Sequence, residues 1–414
     1  MTYKKLLAAA SAAVVTVILG LVANVSAADK YEVIHSFGGV SAGAGPTGLI
    51  SDAAGNLYGT ALYEGDATMG GNGVVFKLSH DATGRWSETV LHTFQGKDGA
   101  NPAAGLIFDK ARNLYGTTQN GGTYGNGTVF KLTPEPDGTW SETVLHSFQG
   151  KDGANPIGDL VLDRAGNLYG TTLGGGGHVS GLVFKLAPDT NGGWIETVLH
   201  DFQGTDGANP GAGLIFDQAG NLYGTTQNGG TYGNGTVFKL IPEPDGEWSE
   251  TVLHSFRSAD GSNPAAGLIF DQAGNLYGTT AGGGGHNSGL VFKLASATNG
   301  EWIETVLHDF QGTDGANPSA RLSLDRAGNL YGTTFSRGGG FLGLGVVFKL
   351  SPEPKGEWSE TVLHSFQGPP DDGYQPSGAL IIDAAGYLYG TTANGGSSGN
   401  CLYAGCGTLF QITP

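Results

Sequence analysis

Short runs in which apolar and polar residues alternate recur along the whole chain, separated by clusters of Gly, Pro, Asn and Asp. Trp140-Ser-Glu-Thr-Val-Leu-His-Ser-Phe148 is representative, a β-branched and aromatic run between two turn clusters. Such a pattern predicts strands and not helices. In the unit around it the pattern predicts four strands, at 105–109, 113–118, 128–132 and 140–148. Lys110-Ala-Arg112 joins the first two where other copies mostly carry an Ala-Gly turn. A glycine-rich loop joins the second and third, and Pro134-Glu-Pro-Asp-Gly138 joins the third and fourth.

The unit repeats. Leu-Tyr-Gly-Thr occurs seven times, with its tyrosine at Tyr58, Tyr115, Tyr169, Tyr223, Tyr277, Tyr331 and Tyr389, at spacings of 57, 54, 54, 54, 54 and 58 residues. Residues 113–138 and 221–246 differ only at Thr133 against Ile241, which points to duplication of pairs of units. Seven copies of a four-strand unit predict an all-β fold, a seven-bladed β-propeller. Tyr31-Glu-Val-Ile-His-Ser-Phe37 reads as a fourth strand without its first three, and Thr408-Leu-Phe-Gln-Ile412 as a third strand without its fourth. Pairing the two completes a blade and removes an exposed sheet edge. The N-terminal strand is therefore expected to close the ring by joining the C-terminal blade.

Composition agrees with short strands and tight turns: 75 Gly, 17 Pro and only 14% charged residues. A net charge of −17 argues against nucleic acid as a partner. Acidity outside the cytoplasm leaves Ca²⁺ as a cofactor to consider, and no other is expected. Lys4 and Lys5, the apolar run Leu6–Ala23 and the small residues Val25-Ser-Ala27 predict a signal peptide over 1–27 and a mature propeller over 28–414. Cleavage removes two lysines, leaving 18 basic residues against 37 acidic ones, a charge of −19. An uncleaved anchor is the alternative, since an apolar run of this length could just span a bilayer. The Ala-rich segment and its small-residue end favour cleavage, so an exported monomer with no membrane span is expected. Cys401 and Cys406 are the only cysteines and are expected to close a short loop as a disulfide. Metal binding by the two thiols is the weaker reading, since no His or Cys follows at zinc spacing.

These units resemble the secreted bacterial tandem repeat called GloVer. Its Gly-Asn-Leu-Tyr-Gly-Thr-Thr stands at Gly166–Thr172, its Val-Phe-Lys-Leu at Val183–Leu186 and its Trp-x-Glu-Thr-Val-Leu at Trp194–Leu199. The resemblance spans residues 31–412 and implies an extracytoplasmic propeller, often followed by a C-terminal anchoring segment. Here the sequence stops at Pro414, directly after the last strand, so release into periplasm or medium is expected in place of surface attachment. The resemblance carries no catalytic residue onto this chain.

Seven of the ten histidines occupy one repeat position: His35, His92, His146, His200, His254, His308 and His364. They lie in fourth strands and are read as structural, hydrogen-bonded between blades. The six tryptophans open the same strand and are read as blade packing. Asp-Gly-x-Asn-Pro at Asp98, Asp152, Asp206, Asp260 and Asp314 is a tight turn by its own chemistry. One Asp per loop does not by itself assemble a Ca²⁺ site. A functional centre in a repeat should appear where the repeat is broken. Asp159 and Arg321 replace the glycine that opens the first strand in four of the other five units, Ala379 standing in the last. They fall in units three and six, nearly opposite across the channel, and are expected to grip a polar ligand or to stand as two solvated side chains. On the same loop face lie Tyr63, Glu64, Asp66, His178, His286, Arg337, Asp371, Asp372 and Tyr374. No Ser-His-Asp spacing, nucleophile elbow or metal-ligand cluster is legible. The leading expectation is a non-catalytic scaffold binding a glycan, peptide or protein on the loop face. Its rivals are a carbohydrate-active hydrolase or lyase and a structural envelope protein.

Overall fold

The computed structural model describes residues 30–38, 42–64, 71–338, 343–397 and 405–413, with the Glu64 side chain left out. The signal-peptide reading at 1–27, Asp66 and Cys401 lie outside the described residues. Seven antiparallel sheets are strung along the chain, six of them in simple meander order. Blade 2 shows the unit: Ile107–Phe108, Leu114–Thr118, Thr128–Pro134 and Trp140–Ser147. The predicted first strand, 105–109, contracts to two paired residues, because the residues before it face the central cavity and not a partner strand. Blade 7 is built from Ile381–Ile382, Leu388–Gly395 and Thr408–Thr413, with a short extra strand, Gly373–Pro376, against the second. Its fourth strand is Lys30–Ser36, paired antiparallel from Lys30–Thr413 to Ser36–Thr408. The ring closes as expected. No helix among the described residues is long and apolar enough to cross a membrane.

The core is divided among the seven blade interfaces, one apolar cluster at each. At every interface the phenylalanine after the fourth strand meets the third-strand phenylalanine of the next blade edge-on, centroids 4.9–5.4 Å apart. Each tryptophan lies edge-on to the tyrosine of the preceding blade at 6.2–6.4 Å, so the packing reading holds. The glycine of Leu-Tyr-Gly-Thr is required by this packing: a Cβ on Gly116 would stand 2.6 Å from Phe130 Cζ. Cys406 is buried and disulfide-bonded.

The turn between the first two strands is fixed by one aspartate. In blade 4, Asp217 Oδ1 accepts from the Ala219 and Asn221 amides, and Oδ2 accepts from Asn221 Nδ2 and the Tyr223 hydroxyl. Burial raises its pKa, but these donated bonds outweigh burial and hold it below the ordinary 3.8. Asp217→Ala would strand four donors and is expected to cost about 2–3 kcal/mol, read by thermal unfolding. Asp217→Asn, which keeps the oxygen acceptor, should recover part of the loss.

Candidate functional site

The segments that lead into the seven first strands converge on a central cavity of about 670 Å³. Its walls are largely Gly, Ala, Ser and aliphatic side chains, and Asp159 and Arg321 are the charged residues among them. Asp159 is half-buried and its Oδ1 accepts the Gly105 amide at 2.7 Å, tying blade 3 to blade 2. Gly213 makes room for it, since a Cβ there would stand 2.9 Å from Asp159 Cβ. Arg321 is exposed, its stem beside Gly267, and no hydrogen bond or ion pair engages it among the described residues. The two charges are not paired with one another; the cavity lies between them.

A second irregularity falls in blades 2 and 5, the blades before those of Asp159 and Arg321. Thr60, Thr171, Thr225 and Thr391 each donate a hydrogen bond to a backbone carbonyl of the next blade, at Ala104, Ala212, Ala266 and Thr47. Thr117 and Thr279, the equivalents in blades 2 and 5, are buried, and their hydroxyls have no partner among the described residues. Both sit in the Leu-Tyr-Gly-Thr motif shared by all seven units, so sequence reasoning had no signal for them. Each orphaned hydroxyl costs about 1–3 kcal/mol.

The other loop-face candidates do not line this cavity. His178 and His286 are exposed, each beside the aspartate that ends its own blade's fourth strand, 3.3 Å from Asp201 and 4.0 Å from Asp309. Tyr63 packs into the first blade's interface and Tyr374 into the seventh's. Arg337 is exposed in a left-handed turn with φ 60°. Glu64 ends a strand and its side chain is not described.

The repeat histidines form a ring of blade junctions. His92, His146, His200, His308 and His364 each hold the aspartate of the following loop, Asp98, Asp152, Asp206, Asp314 and Asp372, at 2.9–3.1 Å. His254 and Asp260 stand at 3.7 Å. The next blade adds a glutamate, a residue whose role the sequence did not disclose. Glu142, Glu196, Glu250, Glu304 and Glu360 are pushed up to about 7 by burial and by the preceding blade's aspartate. In each of the five, Oε1 is buried and takes no hydrogen bond. Both junctions of blade 7 depart from this rule. At one, no loop aspartate intervenes, and His35 meets Glu88 at 3.1 Å while the Gly43 amide donates to the other oxygen. At the other, Tyr31 replaces the glutamate, donating its hydroxyl to Asp372 and stacking on His364 with centroids 3.5 Å apart.

A closed ring of seven four-stranded sheets around one sparsely charged cavity makes this a seven-bladed β-propeller with a polar spot at its centre. The chain belongs to the Gloeobacter/Verrucomicrobia repeat family, whose model matches residues 15–220, 136–340 and 214–414. Among solved structures it is similar to PorZ, a surface component of the type-IX secretion system of Porphyromonas gingivalis: 15% identity, TM-score 0.49, over 88% of this chain and 46% of that one. A Dyadobacter fermentans protein of unknown function gives 13% identity and TM-score 0.48 over 93% and 98% of the chains. A Xanthomonas campestris gluconolactonase gives 14% and 0.43 over 93% and 89%. At such identities the likeness is one of fold. No curated protein matches the chain significantly.

Proposed function

We propose that this protein is an exported, non-catalytic binding propeller that holds a polar ligand, a glycan above all, between Asp159 and Arg321. The observation that carries this reading is the placing of two opposite charges, three blades apart, in a cavity otherwise lined by small and aliphatic groups. A sugar matches that lining: Asp159 accepts from hydroxyls, Arg321 donates to ring and hydroxyl oxygens, and the aliphatic wall covers C–H faces. Export rests on the N-terminal signal and on a repeat family of the extracellular kind.

The test is calorimetric titration of the mature chain with plant and microbial oligosaccharides, repeated on Asp159→Asn and Arg321→Gln. Each variant is expected to weaken binding by about 10- to 100-fold, the worth of a hydrogen bond to a charged group. Binding untouched by both substitutions would move the site elsewhere on the loop face. Cleavage of any of the sugars would replace the binding reading with an enzymatic one.

A further inference from the structure

The junction between blades 1 and 2 brings together three side chains of metal-ligand type from three places in the chain. His92 belongs to the fourth strand of blade 1, Asp98 to the loop that leaves it, and Glu142 to the fourth strand of blade 2. One ligand atom from each lies within 4.8 Å of the other two, and among the described residues this is the one His/Cys/Asp/Glu group that meets that limit. We propose that this junction binds one first-row divalent cation of the Zn²⁺ type. His92 Nε2, an Asp98 oxygen and a Glu142 oxygen are its ligands, and water completes the shell.

Three independent observations support a cation here. The first is an unmet valence: Glu142 Oε1 is buried and takes no hydrogen bond, as at four other junctions, and here, among the described residues, it coincides with three ligand atoms within 4.8 Å. The second is the missing counter-charge. Among the described residues the one Lys or Arg ion pair is Lys30–Glu32, so no Lys or Arg balances the two carboxylates here, and His92 is the one group of basic type beside them. The third comes from the two junctions of blade 7, which act as internal controls. Where the loop aspartate is absent, both Glu88 oxygens find donors; where tyrosine replaces glutamate, Asp372 is satisfied. A glutamate oxygen is left over at the five junctions where histidine, aspartate and glutamate coincide, and at this one the three ligand atoms also converge.

The ligand set also indicates the class of ion. One imidazole with two carboxylates suits Zn²⁺ and its first-row neighbours; Ca²⁺ and Mg²⁺ prefer oxygen alone. Asp98 is already oriented for the task, since its other oxygen accepts the Gln95 amide at 2.7 Å. The His92 and Asp98 side chains each keep 19% exposure, which leaves a path for entry from solvent. Glu142 comes from the next blade, so the ion would staple two blades together.

The experiment is calorimetric titration of the EDTA-treated, dialysed chain with ZnCl₂, and with MgCl₂ as the control ion. Co²⁺ absorption in the visible serves as the spectroscopic signature. One Zn²⁺ site is expected, with Mg²⁺ silent. Glu142→Gln and Asp98→Asn should each weaken Zn²⁺ by more than about tenfold and abolish the Co²⁺ bands. Glu196→Gln, the same change one junction along, should leave both readouts as in the unaltered protein. Glutamine is near-isosteric and removes a like-charge contact, so circular dichroism should show both glutamine variants folded. If Glu142→Gln and Asp98→Asn bind Zn²⁺ as the unaltered chain does, the ion sits on exposed histidines such as His178 and the proposal fails. It fails equally if the unaltered chain binds no Zn²⁺ at 100 times its own concentration and Glu142 only takes up a proton.

Discussion

A chain that starts after Phe37 is expected to unfold at least about 10 °C below the intact protein and to self-associate. The removed segment supplies the whole fourth strand of blade 7, six residue pairs along Thr408–Thr413. It also supplies Phe37, fully buried against Phe76 of blade 1, and Tyr31, which stacks on His364. Losing a buried phenylalanine alone costs about 3–5 kcal/mol. The exposed strand that remains, Thr408-Leu-Phe-Gln-Ile-Thr413, is β-prone and uncharged, a ready template for pairing with another copy. Calorimetry and light scattering on the truncated chain give the answer, with Phe37→Ala as the milder form. A truncated monomer that melts within 2 °C of the intact protein would show that blade 7 does not depend on the N-terminal strand.

This dependence was legible before any coordinates. Two incomplete fragments at opposite ends, one a fourth strand and one a third, have a single arrangement that satisfies both. The period of 54 residues, the Trp and Phe positions and the turn aspartates likewise map directly onto elements. What the alternation could not show is the bulge in every fourth strand. In blade 2 the register slips as Val129–His146 gives way to Phe130–Val144. The closing strand repeats it between Val33 and His35. A bulge keeps the residue types of a strand and changes only its hydrogen bonding, so periodicity does not report it. The extra strand Gly373–Pro376 occupies the longer loop implied by the final spacing of 58 residues, but that spacing does not say where the insertion pairs.

The candidate site divides in the same way. Asp159 and Arg321 stand out in the sequence because their neighbours in the repeat are glycine, and both reach the central cavity. Spacing shows which residues share a strand position; it does not show which residue of the next blade they face. Glu142 and Asp98 meet only because successive blades are packed into contact. The histidine ring was therefore visible as seven copies of one residue, while its chemistry, the glutamate from the next blade, was not.

Between pH 4.5 and about 8 the folded protein is expected to lose stability, with the unfolding midpoint falling by about 8 °C. Four junctions outside the proposed cation site carry the effect. Glu196 faces Asp152 and His146, Glu250 faces Asp206 and His200, Glu304 faces Asp260 and His254, and Glu360 faces Asp314 and His308. In the unfolded chain these glutamates lose their protons near 4.5; in the fold, burial and the facing aspartate delay that to about 7. The folded state thus binds more protons across this window, and linkage makes stability fall as pH rises through it. Solvent screening reduces the effect to about 1 kcal/mol per junction, worth about 2 °C each in a chain of this size. Two histidines run the other way: burial holds His146 and His254 below 6.5, so each favours the folded state more at higher pH. They are two against four. Below 3.8 the turn aspartates such as Asp217 take over, because their depressed pKa makes stability fall as they are protonated. The optimum should therefore lie near pH 4–4.5, well below neutrality. Calorimetric scans in EDTA-containing buffers measure the profile without interference from bound cations. Replacing Glu196, Glu250, Glu304 and Glu360 together by glutamine should remove most of the slope above pH 4.5, leaving the share of Glu142, which EDTA frees of any cation. If that quadruple variant keeps the slope, the protons are held elsewhere and the junction carboxylates are ionised in the folded ring.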